Sequence, residues 1–270
     1  MNASRILSLE TALRAWFAQN ADPALAVVDG LDVGWGGVQR WATARMPVPN
    51  NGPHLDFACG YGTFLAQLGW RFPYARLIGL NINYAGPHAT IGELLEQANV
   101  RASLVQADAR RMPFPDGAFG SVSCFLGLQD IEIGFGGVGV RRALDEAVRV
   151  LSVGGSLVLL DELPIARFQE LLAGLPVVTI DWAERTLDVR WDRRVAERAI
   201  ALYAEGWIAQ ARLADLRERR CLYKQVYDRM KIEMERQLSE QGYYVPFGPM
   251  GMVTARKVKD LGENPIRRMT

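Results

Sequence analysis

The sequence contains few of the side chains that bind metal ions. Its 270 residues include only two histidines, His54 and His88, and three cysteines, Cys59, Cys124 and Cys221. Two histidines cannot form a multi-histidine site, and the cysteines are too widely spaced for a zinc-binding pattern. We therefore predict no metal, and the odd number of scattered cysteines favours a reducing, cytoplasmic location.

The sequence also lacks a strong net charge and a long apolar run. Its formal charge is +1, so no global positive field attracts nucleic acid, and we expect no nucleic-acid partner. No apolar run reaches the roughly 20 residues that a membrane-spanning helix needs. Charged residues at positions 5, 10 and 14 interrupt the first apolar segment, which is unlike a signal peptide.

What is present is a strand, a turn of small residues and a helix at residues 54–65. A short apolar strand ends near Asp56, the turn contains Ala58, Gly60 and Gly62, and helical apolar spacing follows. Such a unit opens nucleotide-binding α/β sheets, because the helix start offers unpaired N–H groups to a ligand. An acidic side chain at the strand end suits an amino group better than a pyrophosphate, so the expected ligand carries a cation.

Strands and helices alternate after this unit, which indicates an α/β fold with a parallel sheet. The pattern predicts later strands at residues 76–81, 102–107, 121–126, 156–160, 177–182 and 252–258. It predicts helices at residues 87–98, 141–151 and 165–173, and two or three more within 192–240. We divide the chain into an N-terminal helix and lid loop at 1–53, a sheet domain at 54–191 and 250–260, and a helical cap insertion at 192–249.

The N-terminal segment has its own pattern. Apolar residues at helical spacing predict an amphipathic helix over 5–18, and a region rich in Gly and Pro follows at 29–53, with a short helix at 38–44. The first helix either packs on the edge of the domain, which we favour, or covers a site as a lid.

Polar residues end three successive predicted strands. They are Asp56, Asn81 and Asp108, and the carboxyl ends of parallel strands are where ligands bind in such sheets. A ligand with an amino group, a ribose and an adenine would meet these residues in turn. Asp56 would face the amino end through water or the backbone, Asn81 would meet the ribose hydroxyls, and Asp108 the adenine amine, with the N–H of Ala109 opposite the ring.

The motifs and their order resemble the class I S-adenosylmethionine-dependent methyltransferases. Residues 56–62 are similar to the family's acidic-x-Gly-x-Gly-x-Gly motif, with Ala58 at the first glycine. Residues 112–119 look like its Pro-Phe-Pro-Asp-Gly run, and 144–155 like its Glu-x-x-Arg-Val-Leu segment before two glycines. The resemblance implies a Rossmann-like, mostly parallel sheet of seven strands flanked by helices, with an N-terminal helix and a helical insertion before the last strand.

The same resemblance implies the cofactor S-adenosylmethionine, with S-adenosylhomocysteine as product. The cofactor-binding residues that it implies are Asp56, Ala58, Cys59, Gly60, Gly62, Asn81, Ile82, Asp108, Ala109, Cys124 and Phe125. Asn81 stands where the family normally has an acidic ribose ligand. Cys59 and Cys124 are expected to be small packing residues at the cofactor, because no paired base accompanies either thiol.

A segment after the fourth strand points to the methyl acceptor. Residues 125–131 are similar to the "GLRN" segment of quinone C-methyltransferases, with Gln129 and Asp130 in place of Arg-Asn. The helical insertion resembles the cap that covers the acceptor in methyltransferases acting on sterols, tocopherols or amines. Aromatic residues on or near this insertion either fill a core or line an apolar pocket, and they are Trp182, Trp191, Tyr203 and Trp207. A small, lipophilic or aromatic acceptor is the expectation.

The sequence does not decide which residue is catalytic, or whether a base is needed at all. Its candidates are Tyr61, Gln129, Asp130 and Asp161, with Glu162 beside the last. His88 is more simply a surface or cap histidine. Residues 134–139 fit Gly-x-Gly-x-x-Gly literally, but they lie after the fourth strand, so we predict a flexible loop beside the acceptor.

Two other functions stay open at this point. The first is an RNA methyltransferase, which the arginines of the insertion favour and the near-neutral charge opposes. The second is a non-catalytic partner subunit with a methyltransferase-like fold, which the departures at Ala58, Asn81 and Gly120 would suit. The oligomeric state is open as well, with a homodimer as one alternative.

Overall fold

The structure is a computed structural model, which describes residues 35–47, 52–84, 91–186, 190–210, 215–246 and 248–259. Helices and strands are numbered within these ranges. The helix expected at 5–18, His88 and the chain after residue 259 lie outside them.

A seven-stranded sheet forms the centre of the protein, in the order β3-β2-β1-β4-β5-β7-β6. Strands β1 to β5 pair in parallel, and β7 runs antiparallel to both β5 and β6. The strands are β1 His54–Phe57, β2 Leu77–Asn81, β3 Ala102–Gln106, β4 Phe119–Phe125, β5 Leu151–Asp161, β6 Val177–Arg185 and β7 Met250–Lys257. The predicted fold class, a mostly parallel seven-stranded α/β sheet, is confirmed.

Helices cover both faces of the sheet. They are α1 Trp35–Arg45, α2 Thr63–Arg71, α3 Ile91–Gln97, α4 Leu128–Val150, α5 Ile165–Leu172, α6 Arg193–Gln210 and α7 Leu216–Gln241. One buried apolar cluster joins one face of the sheet to α1, α2, α3, α6 and α7, and a second joins the other face to α4 and α5. The site at the end of β1 therefore lies between two separate layers of core.

The side chains of β1 alternate between these two layers. Leu55 and Phe57 belong to the cluster under α4 and α5 and are fully buried. Because successive side chains of a strand point to opposite faces, His54 and Asp56 face the other layer. Both are fully buried, although they are polar. A strand that buries polar side chains on one face needs hydrogen-bond partners for them there.

The helical insertion forms two helices between β6 and β7. Helix α7 begins after Asp215, whose carboxylate accepts hydrogen bonds from two backbone N–H groups of the first turn, and ends at Gly242, with φ +78°. Arg193 of α6 pairs with Glu235 of α7 at 2.6 Å. The chain enters and leaves this insertion through a short bridge between Trp191 and Tyr244, and the Trp191 side chain is buried in the core.

A buried ion pair ties the turn before β4 to helix α4. Arg149 donates to both carboxylate oxygens of Glu146 at 2.7–2.8 Å and to the carbonyl oxygens of Met112 and Phe114. Glu146 in turn accepts from the backbone N–H of Met112 at 2.8 Å. The two segments that resemble family motifs, at 112–119 and 144–155, are therefore bound to each other.

Two predicted boundaries were wrong. Residues 134–139 form no loop: they lie inside α4, which begins at Leu128 and breaks its helical geometry only at Gly136, with φ 66° and ψ 179°. The fifth strand starts at Leu151, directly after α4, and not at Ser156. Four glycines in six residues and the Gly154-Gly155 pair suggested irregular chain, but packing of the apolar residues around them determines the element.

Within the described ranges, no helix is long and apolar enough to cross a bilayer. In the same ranges no group of three or more His, Cys, Asp or Glu side chains could hold a metal ion.

Candidate functional site

The three predicted polar residues lie on adjacent strands at the carboxyl edge of the sheet. Strand β2 pairs with β1 on one side and β3 on the other, so Asp56, Asn81 and Asp108 follow in spatial order. Backbone hydrogen bonds fix the edge: Cys59 N–H donates to the Leu80 carbonyl at 3.1 Å, and Ala107 N–H to that of Asn81 at 2.9 Å. The structure thus brings together the residues that the sequence predicted as neighbours.

Asp56 is a buried acid with one unsatisfied oxygen. Its side chain has no exposed surface, and Oδ1 accepts a 2.6 Å hydrogen bond from Ser123 Oγ. Its Oδ2 is buried and, among the described residues, has no hydrogen-bond partner. Loss of hydration raises the pKa of Asp56 to about 7, although the Ser123 hydrogen bond acts in the opposite direction. A ligand cation would supply the missing partner and the missing countercharge.

A hydrogen-bonded chain of three side chains, called here the serine–histidine chain, leads to Asp56. It consists of Ser121, His54 and Ser123. His54 Nδ1 lies 2.7 Å from Ser121 Oγ, and its Nε2 lies 2.9 Å from Ser123 Oγ. Since Ser123 uses its hydroxyl proton on Asp56, it accepts from Nε2–H, and Ser121 donates to Nδ1. Burial lowers the pKa of His54 to about 3, in agreement with a neutral ring.

The turn after β1 contains three residues with positive φ. Ala58 has φ +54°, a left-handed conformation that glycine adopts at lower cost, and Gly60 and Gly62 have φ +52° and +76°. A Cβ on Gly62 would lie 2.4 Å from Ile91 of α3, whereas one on Gly60 would meet no atom within 4 Å. Glycine at position 62 therefore allows the turn to pack against Ile91, and Gly60 leaves the backbone open to an approaching ligand.

Ala58 fits because a glycine lies opposite it. A Cβ on Gly127, at the start of α4, would lie 2.5 Å from the Ala58 Cβ and 2.8 Å from Cys124 Sγ. The extra methyl group at position 58 thus occupies space that Gly127 leaves empty. Alanine can therefore replace the family's first glycine at position 58, because the space beside it at the start of α4 and the end of β4 is open.

The residues expected at the ribose and adenine have partners of their own. Asn81 is 6 % exposed, and its amide donates to the Asn83 carbonyl at 3.0 Å. Ile82 is 37 % exposed, and Ala109 is buried. The Asp108 carboxylate forms a two-pronged ion pair with Arg110, whose guanidinium lies 3.4 Å from the Phe135 ring centroid. Asp108 is therefore held by Arg110 before any ligand arrives.

The cysteines of the site are buried neutral thiols. Burial raises the pKa of Cys59 to about 12 and raises that of Cys124 as well, with the nearby Asp56 charge acting in the same direction. Cys59 Sγ lies 3.6 Å from Tyr84 Oη, which donates to the Gly79 carbonyl at 3.0 Å. Neither thiol has the depressed pKa of a nucleophile.

Comparison with known families bears on this edge of the sheet. Residues 55–159, which contain β2 to β4 and most of β1 and β5, match the model of a family described as a methyltransferase domain. Residues 55–159 are a methyltransferase domain. The expected resemblance to class I methyltransferases is confirmed for this segment, which holds every cofactor-binding residue that the sequence predicted.

Similar sequences agree with the methyltransferase domain. A demethylmenaquinone methyltransferase of Thermus thermophilus is 34% identical over 108 residues, which are 40% of this chain and 46% of that protein. One of Deinococcus radiodurans is 31% identical over 144 residues, 51% of this chain and 53% of that protein. The chain spans about half the length of the curated relatives it matches.

A solved structure shows the same fold. The crystal structure of the cyclase SpnF has a TM-score of 0.53 at 17% identity, covering 82% of this chain and 80% of its own. The likeness extends beyond the methyltransferase domain, but it concerns the fold alone. A shared fold does not determine the reaction, which has to be argued from the site.

Two of the predicted catalytic candidates join the start of α4 to the end of β5. Asp161, at the end of β5, is 1 % exposed and accepts hydrogen bonds from the N–H groups of Leu128, Gln129 and Glu162. Burial raises the pKa of Asp161 to about 7. Gln129 donates its amide to the Glu162 carbonyl at 2.8 Å. Their contacts fix the first turn of α4 against β5.

The remaining candidates are less completely buried. Tyr61, in the turn after β1, is 38 % exposed, and Asp130 is exposed on α4. Glu162 accepts from the Gly248 N–H at 2.5 Å, and burial raises its pKa. Tyr61 is therefore the candidate that combines exposure with a place beside Gly60.

Sequence reasoning missed the serine–histidine chain. A usable signal was present: polar residues alternate with apolar ones on both β1 and β4, at 54 and 56 and at 121 and 123. Only the strand register, which pairs His54 with Ser121 and Asp56 with Ser123, shows that these residues meet.

Proposed function

We propose that the protein is an S-adenosylmethionine-dependent methyltransferase that acts on a small, lipophilic or aromatic molecule of the quinone type. The observation that carries this is Asp56, a fully buried carboxyl at the carboxyl edge of a methyltransferase domain, whose Oδ2 has no partner within the described ranges. Relatives described as demethylmenaquinone methyltransferases support the acceptor class.

The residues at this edge fit the cofactor. Asp56 Oδ2 would accept from the amino group of its aminoacyl chain, and the open face of Gly60 would admit that chain beside the turn. Asn81 and Ile82 would flank the ribose, while Asp108 and Ala109 would meet the adenine. Because Asp108 is bound to Arg110, adenine recognition requires that the two share the carboxylate or that Arg110 moves.

The cofactor and the protein would contribute different parts of the reaction. When bound, S-adenosylmethionine supplies a methyl group that its sulfonium already activates, so the chain has to position the reactants and exclude water. Phe64 and Phe125 stack at 4.7 Å between ring centroids, forming an apolar wall next to the turn. Residues 125–131, at the start of α4, would present the acceptor, as their similarity to quinone methyltransferases indicates.

Tyr61 and Asp130 are better candidates for proton transfer than Asp161. A general base must reach the acceptor, and Asp161 is enclosed by three backbone donors. We assign Asp161 and Gln129 to holding the start of α4 and keep the two exposed residues as candidates that contact the acceptor.

The test is methyl transfer with isotope-labelled S-adenosylmethionine to a short-chain demethylmenaquinone, followed by mass spectrometry. The expected product carries one added methyl group, and Asp56→Ala abolishes its formation. An RNA mixture serves as the competing acceptor. Label in RNA and none in quinone would contradict the proposal, as would failure to bind the cofactor at all.

Further predictions concern the partners, the location, the oligomeric state and the domain division of the enzyme. The small-molecule acceptor requires no nucleic-acid partner, and a cytoplasmic location remains a prediction from the reduced cysteines, all free in the structure. The homodimer and the division of the chain at residues 53, 191 and 249 also remain predictions. Limited proteolysis and light scattering measure them directly.

A further inference from the structure

Asp56 belongs to a buried set of polar side chains shared by β1 and β4. Strand register places Asp56 beside Ser123 and His54 beside Ser121, so two polar cross-strand pairs lie next to each other on one sheet face. Every member of this set is at most 3 % exposed. Buried polar networks are stable when each group has a partner, and the one group here without a partner among the described residues is Asp56 Oδ2.

The surroundings of Asp56 contain neutral groups. His54 lies on its own strand, Cys59 in the following turn, Cys124 on β4 and Tyr84 after β2, and the pKa of each is shifted toward its neutral form. Among the described residues no cationic side chain pairs with Asp56. The ionised carboxylate is therefore uncompensated, and the ligand-free protein favours the protonated carboxyl below about pH 7.

We propose that the serine–histidine chain positions the Asp56 carboxyl and that the cofactor's amino group displaces a proton from it on binding. This rests on the proposed function. The protonated carboxyl and the ligand ammonium give a carboxylate–ammonium pair, and one proton goes to solvent. Binding is then linked to pH. Affinity rises with pH while free Asp56 is protonated and becomes constant once it is ionised.

The direction of its hydrogen bonds suits the serine–histidine chain to hold the Asp56 carboxyl. Ser121 donates to His54, His54 to Ser123, and Ser123 to Asp56 Oδ1, so all donors point toward the carboxyl. A hydrogen bond of this kind favours the ionised form and fixes Oδ1, which leaves Oδ2 for the ligand. Ser123 and His54 are thus positioning residues for the carboxyl that meets the amino group.

The experiment is calorimetric titration of the whole chain with S-adenosylhomocysteine, from pH 5.5 to 8.5, in buffers of different ionisation enthalpy. The buffer dependence of the heat counts protons released. We expect close to one proton per ligand at the acid end and few at the alkaline end, with affinity changing about tenfold per pH unit below the midpoint. In Ser123→Ala the midpoint moves upward by about one pH unit, because the donor to Oδ1 is lost.

Controls separate this inference from the function on which it rests. Methylthioadenosine keeps the adenine and ribose but has no amino group, so its affinity should not change over this pH range. Asp56→Asn should release no proton, whereas Thr254→Val, which removes a buried hydroxyl on β7, should keep the wild-type profile. Ser121→Ala, one link further away, should shift the midpoint less and in the same direction.

The outcomes are distinct. Absence of ligand binding at every pH would overturn the proposed function. Binding with no released proton would overturn the inference alone. Proton release that persists in Asp56→Asn would overturn it too, since the proton would then come from another group such as Asp161.

Discussion

Individual residues at the candidate site combine backbone strain with the burial of a polar group. Ala58 holds a left-handed conformation, and Asp56 is a buried acid whose Oδ2 has no hydrogen-bond partner in the part of the chain that the structure describes. Each costs stability, as residues at functional sites often do. The sequence predicted both positions, Asp56 from the end of the first strand and Ala58 from the turn that follows it. The sequence did not indicate that Gly127 leaves space for the Ala58 side chain, because the two residues are far apart in the chain.

The contact between Ala58 and Gly127 predicts a coupled pair of substitutions. Ala58→Gly should stabilise the protein by roughly 0.5–1 kcal/mol, since relief of left-handed strain exceeds the added entropy of the unfolded chain. Gly127→Ala should destabilise it by about 1–3 kcal/mol through overpacking. Chemical denaturation of both single variants and the double variant measures the coupling, and simple additivity would contradict the contact.

Asp56 predicts an unusual stability profile. Its raised pKa means that the ligand-free native state binds more protons than the unfolded state between about pH 4 and 7. Asp56 thus stabilises the native state least above pH 7, where its charge is buried. Asp56→Asn should raise thermal stability relative to wild type most at pH 8.5 and less at pH 5.5, and should change it little only near about pH 4.

The matched control for that profile is Asp161→Asn. Asp161 is equally buried, but both of its oxygens accept backbone N–H bonds, and an amide would replace one acceptor by a donor. This variant should lose stability at both pH values. If Asp56→Asn behaves in the same way, Asp56 is a structural acid and has no unpaired oxygen.

Elements of secondary structure were easier to predict than their ends. The parallel strands followed from alternation of apolar strands with helices, because each strand–helix–strand unit is local in sequence. Helix α4 was predicted only over residues 141–151, since glycine has low helix propensity and Gly134 to Gly139 contains four of them. Pairing of β7 between β5 and β6 was not predictable from spacing, as it depends on contacts across the insertion.

The break in helix α4 predicts different outcomes for neighbouring glycines. Gly136 has φ 66° and ψ 179°, which side chains rarely tolerate, so Gly136→Ala should destabilise the protein by about 1–3 kcal/mol. Gly137 has ordinary geometry, and a Cβ there would lie 3.9 Å from Glu132. Gly137→Ala should therefore be neutral or stabilising by up to about 1 kcal/mol, as helix propensity gives. Equal effects in denaturation would show that the helix does not break at Gly136.

Another element-scale prediction concerns the ion pair between α4 and the turn before β4. Arg149→Met leaves the buried Glu146 carboxylate without its cation and should cost about 3 kcal/mol or more. Arg193→Met removes an exposed pair with Glu235 and should have little effect on thermal unfolding. A small effect of Arg149→Met would mean that backbone hydrogen bonds alone secure the turn.

The whole molecule places its site where an open α/β sheet binds ligands, at the carboxyl ends of the central strands. The two core layers hold this edge from both faces, and the helical insertion is joined to one of them. Composition and charge narrowed the class of protein, and the order of motifs predicted the methyltransferase domain. The acceptor depends on side chains around the site, which the order of motifs does not specify.

The central claim, that Asp56 binds the amino group of S-adenosylmethionine at this edge, is tested most directly by calorimetric titration. Wild type and Asp56→Ala would be titrated with S-adenosylmethionine at pH 8, with folding of the variant checked by circular dichroism. The account predicts saturable one-to-one binding by wild type and at least a tenfold loss of affinity in folded Asp56→Ala, as expected for a charged hydrogen bond. Equal affinity in the two proteins would contradict it.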